Sequence, residues 1–489
     1  MSKTFYITTT LPYVNSDPHV GFAMEIIRAD VLARYHSLRG EEVFFNTGTD
    51  EHGQKIYQKA TEAGQDVQEY VDGFAKKFKD LKHKLNIFSD LNFIRTTDEH
   101  HVKAAQEFWK ACDANGDIYK KEYQVKYCVG CELEKTDSEL EDGHCAIHPN
   151  MEIELIEEEN YFFKFEEYGE RLLALYEKNP EFVLPDFRLN EIKKFVQAGL
   201  QDFSISRLKD KMPWGVPVPG DDTQVMYVWF DALVNYISAL GWPEDQENFE
   251  KFWGTNQNPN AIQVAGKDNL RQQSAMWQAM LMSAGLPTSK QIFINGFINS
   301  GGRKMSKSLG NVISPYEMLD KLQDKGLTED QAIDALRYYL LREIPTFDDG
   351  DFTWERFVET YNANLANGIG NLVSRILHMA VSAEISSWEV DATIENSKID
   401  QYLLDKATDE LWGKIAEQDK FIQSTEPYKT IKTDPETAKK DIEVLLGNLS
   451  EIALELQPFL PHTADQILEA LKDIKKENIP RLFPRIIEE

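Results

Sequence analysis

Cysteine is scarce, four in 489 residues. So few in so long a chain exclude a disulfide framework, and their spacing has to be read for metal binding or catalysis. Long apolar runs are absent as well. None approaches the ~20 residues that span a bilayer, and the opening MSKTFYITTTLPY has no apolar core of the secretory type. We therefore expect a cytoplasmic protein with no membrane partner. Positive charge is in short supply: Lys+Arg total 53 against 82 Asp+Glu, a formal net charge of -29. Phosphate repels such an average surface, which excludes an indiscriminate nucleic-acid binder but leaves room for a nucleic-acid partner held by a local patch. Internal repeats and low-complexity segments are also missing. What is present is an ordinary globular composition, 42% hydrophobic and 11% aromatic, in a chain long enough for roughly three domains.

The pattern along the chain is α/β first and helical last. FYITTT (5–10) reads as a strand that ends in a Pro-Tyr-Val-Asn-Ser-Asp-Pro cluster. Phe22, Ile26, Ile27, Val31, Leu32, Tyr35 and Leu38 then recur at helical spacing until Gly40 stops the helix. EEVFFN (41–46) reads as the next strand and is followed by GTDEHG. Strand, helix, strand is a βαβ unit whose strands are parallel. Ligands of such sheets bind beyond the carboxyl ends of the strands, so His19 and Asp50 are expected at one crevice. The pattern resumes with strands over QVMYVWF (224–230), AIQVAG (261–266) and QIFINGF (291–297), and the last leads into GGRKMSKSLGN (301–311). This basic, glycine-rich loop should open onto the same crevice. From Thr353 the apolar steps of four at Ile399, Leu403, Ala407, Leu411 and Ile415, and those at Ile442, Leu445, Leu446, Leu449, Ile452, Ala453 and Leu456, read as a helical bundle. The expected organisation is a Rossmann-type parallel-sheet catalytic domain (1–115 and 223–300) split by a zinc-binding insertion (116–222). The basic loop and a connecting region (301–352) follow, and then an α-helical bundle (353–489).

The insertion carries YCVGC (127–131) and HCAIH (144–148). Cys128 and Cys131, then Cys145 and His148, are each separated by two residues, with thirteen residues between the pairs. Two such knuckles close a tetrahedral Cys3His site suited to Zn²⁺, and four protein ligands leave no open position, so the metal should be structural. His144 is the alternative histidine, but it adjoins Cys145 and breaks the spacing. Cys112 falls on a helical pattern and reads as a small core residue. At PHVGF (18–22), an imidazole at a helix start can donate to a polyphosphate with help from the helix dipole, and Gly21 allows close approach to the backbone. Lys304 and Lys307 can clamp charge that develops on a leaving pyrophosphate. Taken singly, each has an ordinary explanation, a surface histidine or a solvated turn. Together they suggest ATP cleavage.

PHVGF is similar to the HIGH motif, and KMSKS stands intact at 304–308. The pair marks the class I aminoacyl-tRNA synthetases. Within that class the chain resembles the methionyl-tRNA synthetase family over essentially its whole length. The resemblance rests on LPYVNSDPHVG, TGTDEHG, the knuckles, MPWGVPVPG, YVWFDAL, GKDNLRQQ, RYYLLREIP and NLANGIGNLVSR, in the family's order. It implies ATP-dependent formation of methionyl-adenylate, with Mg²⁺ accompanying ATP, and transfer of the aminoacyl group to tRNA(Met), initiator included. It implies that Asp50 holds the substrate ammonium, that Asp268 contacts the adenosine ribose, and that Leu11, Tyr13, Trp229, Tyr236 and Gln273 line the thioether pocket. It also implies that Asn371, Arg375 and Tyr428 read the anticodon from the bundle.

Three positions depart from the family pattern. Phe22 stands where HIGH has its last histidine. Gln272-Gln273 stands where Phe-His is common, so a group that hydrogen-bonds without carrying charge replaces a pocket histidine. Tyr428 takes the place of the usual tryptophan. Of the other readings, a branched-chain synthetase would need a larger editing insertion, and a cysteine enzyme would place its zinc in the active site. A nucleotidylyltransferase would not need the long bundle, and a zinc-binding module leaves KMSKS unexplained. No appended tRNA-binding OB domain follows the bundle, and a monomer is expected.

Overall fold

The computed structural model describes residues 3–131, 133–135, 139–305, 310–390 and 393–488. Its centre is a six-stranded sheet. Three strands come early, β1 (Thr4–Thr9), β2 (Glu42–Thr49) and β3 (Asn92–Arg95). Between the first two runs α1 (Val20–Leu38), closed by Gly40 in the left-handed region at φ 76°. A second helix, α2 (Glu99–Ala114), buries Cys112. Burial pushes the Cys112 thiol up to about 12, as suits a core residue.

The chain then leaves the sheet on β4 (Ile118–Cys128), which pairs antiparallel with β5 (Glu154–Phe163) in register from Ile118↔Phe163 to Tyr127↔Glu154. The knuckles sit at the far end of this ribbon. Within the stretch read as an insertion, β6 (Val183–Leu184) returns to the catalytic sheet as its edge strand, paired parallel with a later strand. The insertion is therefore stitched into the core.

Two further strands, β7 (Ala261–Gly266) and β8 (Gln291–Asn295), complete the sheet in the order β3-β2-β1-β7-β8-β6, with every pairing parallel. Chain order reverses between β1 and β7. That is the switch point at which open parallel sheets bind ligands. The expected strand over 224–230 is only half present. Asp221–Met226 is a strand of a small antiparallel sheet, and Val228–Ala232 is helical. An apolar run buried on all sides carries no period to separate the two states.

After β8 comes a hairpin, β9 (Ile298–Ser300) against Arg303–Lys304, turned by Gly301 and Gly302 at φ 60° and 74°. A two-residue hairpin turn of this kind needs positive φ at both central positions, which explains the paired glycines. The last third is helical: α3 (Asn371–Ser382), α4 (Leu404–Thr425), α5 (Pro435–Leu456) and α6 (Pro461–Lys472).

Helix α1 is buried on every side, charged residues included. Arg28 donates to the carbonyls of Ile344, Pro345 and Thr346 at 2.9–3.0 Å. Asp30 accepts from Arg337 at 2.7 Å, both side chains being inaccessible to solvent. Arg337 also donates to the carbonyls of Pro458 and Phe459 at 2.9 and 2.8 Å. A buried guanidinium costs several kcal/mol unless so fully bonded, so these contacts rivet the helix that begins at His19 to the helical region.

Candidate active site

The segments that follow β1 and β2 are pinned to each other. Asp50 donates its N–H to the Pro12 carbonyl (3.0 Å), and Val14 donates to the Asp50 carbonyl (3.2 Å), so Tyr13 and Asp50 lie side by side at the crevice. Leu11 is partly exposed beside them. The two residues after Asp50 act as anchors. Glu51 is fully buried and takes both Nε and Nη2 of Arg95 at 2.7 and 2.8 Å, with Thr49 and Thr97 hydroxyls on the same carboxylate at 2.6 Å. His52 Nδ1 meets Asp231 Oδ2 at 2.6 Å, and Asp231 Oδ1 meets His101 Nε2 at 2.8 Å. His101 Nδ1 reaches Ser238 Oγ at 2.9 Å. Burial alone would raise the Asp231 carboxyl, but the two imidazoles hold it down to about 2. This chain fixes the helix that carries Trp229 against the end of β2.

An apolar wall follows. Tyr13 and Trp229 pack with Tyr227 and Val228, and with Tyr127, Val129 and Met151 of the knuckle module. Tyr236 is buried, and its ring meets Trp277 edge-on at 5.9 Å between centroids. Gln273 lies 1% exposed on a π-helical turn over Gln272–Met276, and its Nε2 donates to the Tyr236 hydroxyl at 2.7 Å.

The opposite side is polar. His19 caps α1, and its Nδ1 accepts the Gly21 N–H at 3.0 Å. Nδ1 is therefore unprotonated, and in the neutral ring the proton sits on Nε2, oriented to donate outward. A Cβ on Gly21 would come within 2.8 Å of the imidazole, so this geometry needs glycine. Phe22 turns away and packs edge-on against Phe78 at 5.3 Å, part of the core instead of the crevice. Glu25 projects from α1 onto the ends of β1 and β7. It accepts the Thr10 N–H at 2.9 Å, and burial with the nearby Asp268 raises its carboxyl to about 8. Asp268 is open to solvent yet deep between the crevice walls. Desolvation raises its pKa, against the attraction of Lys304, Lys267 and His19. The Lys304 ammonium lies 4.9 Å from the Phe297 ring centroid, with Lys267 also 4.4 Å from it. Lys307 lies outside the described residues.

At the knuckles, the ligand atoms of Cys128, Cys131, Cys145 and His148 all lie within 4.8 Å of one another. Cys131 Sγ is 3.2 Å from His148 Nδ1 and 3.4 Å from Cys145 Sγ. No disulfide joins the cysteines. His144 instead points its Nδ1 at the Asp142 carbonyl. A Cβ on Gly130 would come within 2.6 Å of the His148 ring, so the knuckle turn has no room for a side chain. Three soft sulfur donors and an imidazole with this convergence suit a tetrahedral metal ion such as zinc. His148 is within electrostatic reach of Lys55 and Lys304, which puts the module at the rim of the crevice.

In the bundle, Asn371 and Arg375 sit one turn apart on α3, and Arg375 pairs with Asp419 of α4 at 2.7 Å. Tyr428 is 46% exposed on the short turn after α4, with its hydroxyl 3.3 Å from Glu426.

A family model described as class I tRNA synthetases (M) matches residues 5–146 and 131–377, and one for the anticodon binding domain of methionyl tRNA ligase matches 380–487. A methionine–tRNA ligase of Thermotoga maritima is 42% identical over 487 residues, covering 95% of this chain and 74% of that protein. One from Brucella suis is 39% identical, covering 96% and 92%. The chain belongs to the methionyl-tRNA synthetase family.

Solved members of the family share its shape. The Mycobacterium tuberculosis methionyl-tRNA synthetase in complex with methionyl-adenylate superimposes with a TM-score of 0.87 at 32% identity, covering 99% of this chain and 97% of that one. The free form of the same enzyme gives 0.78 at 30% identity, covering 100% and 96%. Among the described residues no helix is long and apolar enough to cross a membrane. Sequence reading missed Glu25, the Glu51–Arg95 clamp and the His52–Asp231–His101 chain. The one available signal was a cluster of charges, Glu25, Arg28 and Asp30, inside an otherwise apolar helix.

Proposed function

We propose that the chain ligates methionine to tRNA(Met) in two steps. A methionine carboxylate oxygen attacks the α-phosphorus of ATP, and the bond to the β-phosphate breaks to release pyrophosphate. A hydroxyl of the terminal tRNA adenosine then attacks the acyl carbon, and AMP leaves. The observation that carries the reading is the meeting of His19, Glu25, Asp268 and Lys304 at the switch point of a chain from this family.

In this reading His19 donates Nε2–H to the phosphates, and Gly21 lets ATP approach the start of α1. Lys304 and Lys307 neutralise the leaving pyrophosphate, with Mg²⁺ entering as part of the ATP substrate. Asp268 accepts from the ribose. Asp50 faces the methionine ammonium, while Leu11, Tyr13, Trp229, Tyr236 and Gln273 surround the thioether, since aromatic rings and sulfur pack favourably. Cys128, Cys131, Cys145 and His148 would hold one structural zinc that contributes folding energy to the module. Asn371, Arg375 and Tyr428 read the CAU anticodon. We take the enzyme to act as a cytoplasmic monomer.

ATP–pyrophosphate exchange with each of the twenty amino acids tests this, followed by charging of tRNA(Met). Methionine alone should support fast exchange, and a preference for another amino acid would overturn the reading. Metal analysis of chelator-washed, active protein should give one zinc per chain, and active protein without zinc would refute that assignment.

A further inference from the structure

Beneath the apolar wall lies a polar network whose every member is at most 2% exposed: Ser289, Gln278, Gln263, Gln273 and Tyr236. Amide orientation is ordinarily ambiguous, because oxygen and nitrogen can exchange places. Here a backbone amide settles it. The Ser289 N–H can only donate, and it donates to Gln278 Oε1 at 3.0 Å. Gln278 Nε2 must then donate, and it does so to the Gln273 carbonyl at 2.8 Å and to Ser289 Oγ at 3.1 Å. Since Ser289 Oγ accepts that bond, its own proton goes to Gln263 Oε1. Gln263 Nε2 is left to donate to Gln273 Oε1 at 2.8 Å, and Gln273 Nε2 to donate to the Tyr236 hydroxyl at 2.7 Å.

Polarity therefore runs one way along the whole chain. The Tyr236 oxygen receives a hydrogen bond from behind, so its own O–H proton is directed away from Gln273. Among the described residues this hydroxyl donates to no protein acceptor. Burial raises its pKa, and the negative fields of Glu25 and Asp50 add to that, so the group stays a neutral donor and its oxygen lies within reach of both crevice carboxylates.

We propose that Ser289, Gln278 and Gln263 are positioning residues that fix the direction of the Tyr236 hydroxyl, so that the crevice favours a side chain carrying a hydrogen-bond acceptor over an isosteric hydrocarbon. The inference rests on the methionine reading above. A thioether sulfur is a weak acceptor, whereas the matching methylene of norleucine offers none. All the members are neutral amides and hydroxyls, so this setting does not change between about pH 6 and 9.

The test is to reverse the wire without changing its shape. In Gln263→Glu the carboxylate accepts on both sides. Gln273 then turns its amide over, presents its oxygen to Tyr236, and takes the hydroxyl proton. Methionine and norleucine are compared by kcat/KM in ATP–pyrophosphate exchange and by equilibrium binding without ATP. The methionine-to-norleucine ratio should fall about three- to ten-fold, the span of one neutral hydrogen bond, with norleucine itself little affected. Ser289→Ala should give a smaller fall in the same ratio, and Ser289→Thr should restore it. If both amino acids weaken in proportion, the network merely supports the fold and the proposal fails. If Gln263→Glu does not fold, the Ser289 pair decides by the same ratio. Wild-type protein that does not activate methionine would instead overturn the functional reading, a result distinct from an unchanged ratio.

Discussion

At the crevice, Asp50 is followed by Glu51, clamped by Arg95, and by His52, tied through Asp231 to His101. In the bundle, Tyr428 is 46% exposed, and its hydroxyl reaches a glutamate two residues away. The two regions face different demands. Phosphoryl and acyl transfer need groups held near their reacting positions before substrate arrives, because donors aimed in advance require no reorganisation at the moment of reaction. Unpaired bases are splayed out and stacked on whatever ring is offered, and stacking tolerates adjustment. Buried hydrogen bonds fix the first region, and exposure serves the second. Substitutions should therefore cost most where a group meets developing charge, less where a support is removed, and least where one neutral group replaces another.

Lys304→Ala tests the first part. The ammonium rests on the Phe297 ring beside Lys267, exposed and within the field of Asp268. Adenylate formation should slow by a factor on the order of 10²–10³, the usual cost of losing one donor to a developing charge. Methionine binding without ATP should change little. A pre-steady-state burst of unchanged rate would take this lysine out of the chemistry.

Arg95→Met removes a support that touches no substrate. Glu51 would remain fully buried with only hydroxyl partners, and breaking such a pair costs about 3–5 kcal/mol. Hydrogen exchange should speed up across the end of β2, residues 47–52, and methionine affinity should fall because Asp50 shares that backbone. Exchange rates at β2 equal to wild type would mean the clamp is not what holds Asp50.

These supports also show what a sequence displays and what it hides. The βαβ start was legible because apolar spacing and a stopping glycine are local signals, and the knuckles because their ligands come in local pairs. The His52–Asp231 bond spans 179 positions. No window on the sequence contains both partners. The edge strand Val183–Leu184 is too short to carry any alternation. The helix over Val228–Ala232 hid inside an apolar run because a segment buried on every face has no polar side to set its period. Local patterns thus supplied the scaffold and the ends of strands that face ligand. The polar contacts that stiffen those ends arise only on folding.

Tyr428→Ala probes the loosely held region. A stacked base is worth about 1–3 kcal/mol by alanine substitution. Charging of tRNA with a CAU anticodon should fall about ten-fold or more, equivalent to about 1.4 kcal/mol, with exchange in the absence of tRNA unchanged. Equal losses in both assays would show that the ring supports the fold, despite its exposure.

The smallest effect is expected at Gln273→His, which restores the residue common in the family. At about pH 8 the imidazole is neutral. One ring nitrogen can accept from Gln263 Nε2 while the other donates to the Tyr236 hydroxyl, so the direction of the wire is preserved and methionine kcat/KM should stay within about three-fold of wild type, the lower end of one hydrogen bond. Below the ordinary histidine value of about 6.5 the ring gains a second N–H. Two donors, the introduced imidazolium and the Gln263 amide, would then face each other in a buried site. Either Gln263 must turn over, against the Ser289 hydroxyl that holds its oxygen, or the imidazole must remain neutral with its own pKa depressed. Methionine affinity in the variant should therefore weaken between about pH 7.5 and 6, while the wild-type enzyme, with no titrating group at this position, shows no such step. Parallel pH profiles for the two proteins would mean that position 273 does not communicate with the substrate through a directed hydrogen bond.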